Sequence, residues 1–119
     1  MTTGLSATVA NDFLEWLFNA SATSTAPTNI YIQLHTADPG SAGTTAVAGN
    51  ATRKDLTAAI TWTTGEVDTS EDYTHWSRWD NATVGNFLLS GTVTANAVTT
   101  GDEFTIPIGD LDVAFGTAA

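Results

Sequence analysis

Punctuation is what most limits the fold of this chain. Asp38-Pro39-Gly40, Asp80 to Gly85, Thr100-Gly101-Asp102 and Gly109-Asp110 break it repeatedly after Asn29. Proline fixes φ and removes a donor, and glycine accepts backbone angles closed to other residues, so each group reads as a turn. The segments between turns alternate. Ile30, Ile32 and Leu34 oppose Tyr31, Gln33 and His35; Tyr73, His75, Ser77 and Trp79 oppose Thr74, Trp76 and Arg78; Leu111, Val113 and Phe115 repeat the pattern. A period of two places one set on each face of a half-buried strand. Strands are predicted over 29–36, 53–62, 73–79, 86–94, 104–108 and 111–115, with 73–79 and 86–94 joined as a hairpin through 80–85. Residues 41–50 carry Gly, Ala, Ser and Thr without periodicity and read as a long loop, the most mobile part of the chain. Residues 63–70 form a polar connection.

One segment has a different period. Leu5, Val9, Phe13, Trp16 and Leu17 fall on a single helical stripe, with Asn11, Asp12, Glu15 and Asn19 largely off it. A helix is predicted over about 5–19, capped by either Thr3 or Ser6, and residues 21–28 form a linker. The fold class is therefore mainly β: a two-layer β-sandwich of about six to eight short antiparallel strands, with the N-terminal amphipathic helix packed on it. The 119 residues suit a single domain, 1–119, with the sandwich over about 29–115.

Charge narrows the partners. Thirteen acidic residues face three cations, Arg53, Lys54 and Arg78, for a formal net charge of −10, and no Lys or Arg precedes Arg53. Proteins that grip phosphate do so by replacing counterions with Lys and Arg. Neither nucleic acid nor an anionic membrane is an expected partner, and the acidity reads as a solubility device. No apolar stretch reaches bilayer length. Met1 to Gly4 lack the basic start of a secretory signal, so export is not expected. Cysteine is absent, which removes disulfides, thiolate ligands and cysteine nucleophiles together.

Chemistry-bearing residues are sparse. His35 and His75 lie on separate predicted strands with none of the HxH, HxxxH or HExxH spacings, and read as ordinary strand histidines rather than metal ligands. No serine sits in a GxSxG turn, and no GxGxxG or GKS/T element cradles phosphate. Asp38, Asp80, Asp102 and Asp110 occupy turns, where a carboxylate satisfies nearby backbone donors. Asn19, Asn50 and Asn81 begin glycosylation triplets at a frequency chance explains. No catalytic residue, metal or cofactor is expected, and the chain does not read as an enzyme. Trp16 belongs to the helix stripe and to the core. Trp76 and Trp79 differ in parity, so one is expected in the core and the other exposed or covered by a partner. Trp76, Trp79, Trp62 and Arg78 are the candidate interface residues; an exposed indole anchors interfaces and also stacks on sugars.

The order of these pieces resembles a family of small tailed-bacteriophage virion proteins, variously labelled head fibre, tail fibre or capsid decoration proteins. The resemblance runs through Ile30-Tyr-Ile-Gln-Leu-His-Thr-Ala-Asp-Pro-Gly40, the arginine leading into 53–62, and Thr74-His75-Trp76. It continues through Gly85-Asn86-Phe87-Leu88-Leu89 with Gly91, then Val98, Gly101-Asp102, Ile106-Pro107, Gly109-Asp110-Leu111, Val113 and Phe115. It covers nearly the whole chain, and its motifs mark turns and core rather than chemistry. Ser77-Arg78-Trp79 departs from it, since the family more often has glycine and aliphatic residues there.

The resemblance implies a structural protein of the virion, assembled in the host cytoplasm. The first expectation is a minor capsid or decoration protein on the outside of the shell. It would bind the major capsid protein or other virion proteins and copies of itself, with a trimer as first guess. A tail-tip or tail-fibre module binding a host glycan or receptor is the alternative. The absence of fibrous shaft sequence favours the first, and copy number per particle separates the two.

Overall fold

The computed structural model describes residues 4–18, 28–56 and 59–107. The side chains of Trp16 and Ala95 fall outside that description, as do the predicted strand 111–115 and most of the linker 21–28.

The described residues are mainly β, with one helix near the N-terminus. Strand β1 (Gly4–Leu5) leads into helix α1 (Ala7–Phe18), followed by β2 (Tyr31–His35), β3 (Lys54–Asp55), β4 (Ile60–Trp62), β5 (Glu71–Trp79), β6 (Phe87–Val98) and β7 (Phe104–Ile106). A five-stranded sheet has the order β1-β6-β5-β2-β3, and a two-stranded sheet pairs β4 with β7; every pairing is antiparallel. Ile32, Leu34, Tyr73, Trp76 and Val98 from the large sheet meet Ile60, Trp62, Phe104 and Ile106 from the small one in a single buried cluster. That contact makes the two layers a sandwich. Tyr73 meets Phe104 edge-on with centroids 5.0 Å apart, and Trp62 lies 6.0 Å from the same ring.

Three of the predicted turns form for the stated reason, and the fourth, Gly109-Asp110, lies outside the described residues. The carboxylates of Asp38, Asp80 and Asp102 accept from the backbone N–H groups of Gly40 (2.9 Å), Asn86 (2.7 Å) and Thr99 (2.8 Å). Across the Asp80 turn, β5 and β6 pair as the expected hairpin. Ser6 caps α1, its Oγ accepting from the N–H of Val9 at 3.2 Å.

Four expectations are corrected. Residues 53–62 form two strands in different sheets rather than one. A register irregularity between Tyr73 and His75 shifts the phase of β5, so Tyr73 and Trp76 both reach the core although their parities differ. Strand β2 is buried on both faces, not half-buried, because residues 36–53 fold over its outer side. The backbone of that covering segment is tied down: Thr36 N–H donates to Ala46 O (2.9 Å), Thr45 N–H to Pro39 O (2.9 Å) and Ala48 N–H to Leu34 O (3.0 Å). Finally, α1 does not lay its predicted stripe wholly on the sandwich: Val9 is partly buried and Trp16 is outside the described side chains, but Phe13 and Leu17 stand more than half exposed, as do Leu14 and Phe18.

Candidate docking surface

The two faces of the large sheet sort the candidate residues. On the inner face Leu34 stands opposite Trp76, and Trp76 opposite Gly91. Glycine at 91 is a packing requirement, since a Cβ there would come within 2.6 Å of the Trp76 ring. On the outer face Gln33 pairs with Ser77, His35 with His75, and Tyr31 with Trp79.

Three of those outer residues form a closed relay of hydrogen bonds. Trp79 Nε1–H donates to Ser77 Oγ (2.8 Å), and Ser77 Oγ lies 2.7 Å from His35 Nε2. His35 Nδ1 lies 2.8 Å from the carbonyl oxygen of Thr45. A carbonyl only accepts, so Nδ1 carries the proton; Nε2 then accepts from the Ser77 hydroxyl, and the chain is satisfied with a neutral ring. Burial pushes the His35 imidazole below its ordinary value, the bond to Thr45 opposing and the neighbouring His75 adding to the shift. A serine oxygen at this distance from an imidazole nitrogen is also how a nucleophile meets its base. Here both residues are fully buried, and the serine oxygen already accepts from an indole, so no substrate atom reaches it. The pair works as a structural clasp between the sheet and the segment that covers it.

Arg53 completes the outer layer. Its guanidinium lies 3.6 Å from the centroid of the Trp79 ring, and Nη1 donates to the carbonyls of Asn81 and Val84, each at 3.1 Å. One side chain thereby joins the covering segment to the tip of the β5–β6 hairpin. Trp79 also packs on Phe87, with centroids 5.6 Å apart. The Phe87 ring fills the space a side chain at Gly43 would need, and Gly43 itself has φ of 71°.

This geometry relocates the indoles expected at an interface. Trp62 is 1%, Trp76 3% and Trp79 5% exposed. Trp76 lies in the core, as one of the pair was expected to; its mate is covered by this chain's own Arg53 and Phe87 instead of by a partner. Arg78, the fourth candidate, is half-buried beside Ile32, Leu89 and Trp76. Its Nε has no acceptor, its guanidinium is 5.9 Å from the Trp76 ring, and burial lowers its pKa from the usual arginine value. The large sheet ends in two-residue strands on both sides, β1 and β3, and very short edge strands discourage edge-to-edge pairing. Lys54 in β3 is ion-paired with Glu66. Strand β1 covers only Leu89 and Ser90 of β6, so the outer margin of β6 from Gly91 to Val98 has no strand neighbour among the described residues.

What remains uncovered is α1. It leans on the body through Val9 and Asp12, which are partly buried, while Leu14 (54%), Leu17 (58%) and Phe18 (80%) project into solvent. Those three lie at i, i+3 and i+4, one face of the helix. Val84, at the hairpin tip held by Arg53, is also exposed. Sequence periodicity marked the stripe but not who covers it, and the stripe as drawn omitted Leu14 and Phe18. The pairing of His35 with His75 depends on strand register, which no local spacing reveals. Among the described residues no group of three or more His, Cys, Asp or Glu side chains is placed to hold a metal ion.

The family model described as "Podophage GP4 fiber I protein gp80" matches residues 4–114. No curated protein matches the chain.

Proposed function

Because the chain belongs to the podophage GP4 fibre I protein family, a family of phage structural proteins, we propose that it is a decoration protein on the outside of the phage shell. It is held there by contacts with the major capsid protein or neighbouring virion proteins. Its role is to bind rather than to react: the serine–imidazole pair is sealed, and the turn carboxylates hold backbone N–H groups. The formal net charge of −10 suits a position away from the packaged genome.

One observation carries the choice between shell and tail tip. The glycan reading rests on an exposed Trp76 or Trp79 as the face that stacks on a sugar ring. All three tryptophans with described side chains are buried within the protomer. Arg78, partly exposed although its Nε is buried, is the candidate interface residue that still offers surface to a partner. Quantitative mass spectrometry of purified virions tests the reading. Hundreds of copies per particle are expected, and a handful would place the protein at the tail instead.

A further inference from the structure

We infer that the exposed face of α1 is the plug by which this protein seats in another virion protein, and that the socket is an apolar groove with a basic rim. The inference rests on the reading of the chain as a virion component and supplies the docking element.

The helix has a defined start. Gly4 and Leu5 pair with Ser90 and Leu89 of β6, Ser6 N–H donates to Leu88 O at 2.7 Å, and Ser6 Oγ caps the first turn. Beyond that anchor, a twelve-residue helix shows the body mainly its Val9–Asp12 side and shows solvent Leu14, Leu17 and Phe18. Helices of this length are marginal in water and gain most of their stability from a packed face. Anchors at i, i+3 and i+4 match the way an amphipathic helix lies in a groove.

Area and charge choose the occupant. With the neighbouring Phe13 included, the exposed apolar side chains offer on the order of 500 Å², against roughly 800 Å² per partner in a stable interface. Laying α1 flat on α1 of a second copy would leave that contact short. Enlarging it would press together two bodies that each carry −10. A groove also covers the flanks of the helix and so closes the gap in area. The helix contributes Asp12 and Glu15 and no cation, and no Lys or Arg occurs before Arg53. Charge complementarity therefore calls for Lys and Arg at the groove rim.

The test uses the full-length chain, labelled, and purified particles from a phage deleted for its gene. Parent protein is compared with the Leu14→Gln/Leu17→Gln/Phe18→Gln variant, glutamine being chosen because it preserves helix propensity. An unchanged thermal midpoint and near-ultraviolet tryptophan spectrum establish that the variant's sandwich is intact. The expected result is saturable parental binding, weakened about tenfold or more in the variant, and weakened for the parent as salt is raised. Equal binding by both chains overturns the proposal. So does a parent that sediments as an oligomer, and a variant that sediments as a monomer, when both dock alike; that outcome makes a second copy the occupant. Binding that strengthens with salt removes the basic rim. Failure of the parent to bind any particle defeats the virion reading itself, and this inference with it.

Discussion

Where residues 36–53 cover it, the outer face of the five-stranded sheet is buried about as well as the inner face, and by different physics. Inside, Ile32, Leu34 and Trp76 meet the small sheet through apolar contact alone. Outside, Gln33, His35, Ser77 and Trp79 are sealed under residues 36–53 by hydrogen bonds: Gln33 Nε2 to Ala51 O at 3.0 Å, His35 to Thr45, and Trp79 to Ser77. An apolar layer tolerates small shifts and resists changes in pH. A hydrogen-bonded layer depends on each partner and on the protonation state of its imidazole, because a buried polar group left unpaired costs about 1–3 kcal/mol. Burial alone, then, does not say how a face will fail.

The largest effect is expected on the inner face. Trp76→Ala should destabilise the fold by about 3–5 kcal/mol, the range for truncating a buried aromatic, measured by urea unfolding. A loss below about 1 kcal/mol would mean the two layers do not depend on this contact and would erase the contrast between the faces.

The next effect belongs to the outer face and appears with pH. The folded His35 has a pKa below its ordinary value of 6.5, so the unfolded chain takes up the proton first. The neutral clasp contributes its full stability above the unfolded pKa, and that contribution is lost as pH falls from there toward the folded value. Urea midpoints of the parent and His35→Gln should therefore differ in slope between pH 7.5 and 5.5, the parent falling more steeply. Parallel slopes would show that the imidazole is not held neutral. Trp76→Ala, by contrast, should leave the parental pH slope intact, which separates the two layers in one data set.

The smallest effect is expected at the helix, which belongs to neither face. Ser6→Ala removes the cap and should cost about 1 kcal/mol of helix stability. It is read as reduced helical circular dichroism with little change in the sandwich's thermal midpoint. A matching drop in both would mean that α1 and the sheets unfold together.

Features that are local in sequence were legible in it. Asp38, Asp80 and Asp102 act within a few residues of themselves, and the hairpin joining β5 to β6 follows from alternation around a turn. Features set by register or by coverage were not. The irregularity after Tyr73 moved that ring to the core against its parity, and the phase of β5 beyond it decides which residues face His35. Residues 41–50 look like an idle loop because their composition is small and polar. Their contribution is made by main-chain groups, such as the carbonyl of Thr45, that no residue type announces. In sequence Arg53 reads as one of three cations and as the arginine leading into 53–62, whereas its span from Trp79 to the hairpin tip is a tertiary fact. The exposure of Leu14, Leu17 and Phe18 was hidden for the opposite reason: an amphipathic pattern shows that a helix has an apolar side, and the habitual assumption is that its own domain covers it.

The attachment of α1 to the large sheet also has a mechanical consequence. Tension applied to the helix enters the body by two routes. One runs through Gly4 and Leu5, a ladder of two residue pairs on the outer margin of β6. The other runs along the chain to Tyr31, where β2 is flanked by β5 on one side and β3 on the other and shares five residue pairs with β5 alone. The short marginal ladder is the weaker of the two and yields first, peeling away while the five-pair ladder keeps its register. Under a tug on the helix, the two-pair ladder is therefore the expected first point of release, ahead of any core strand.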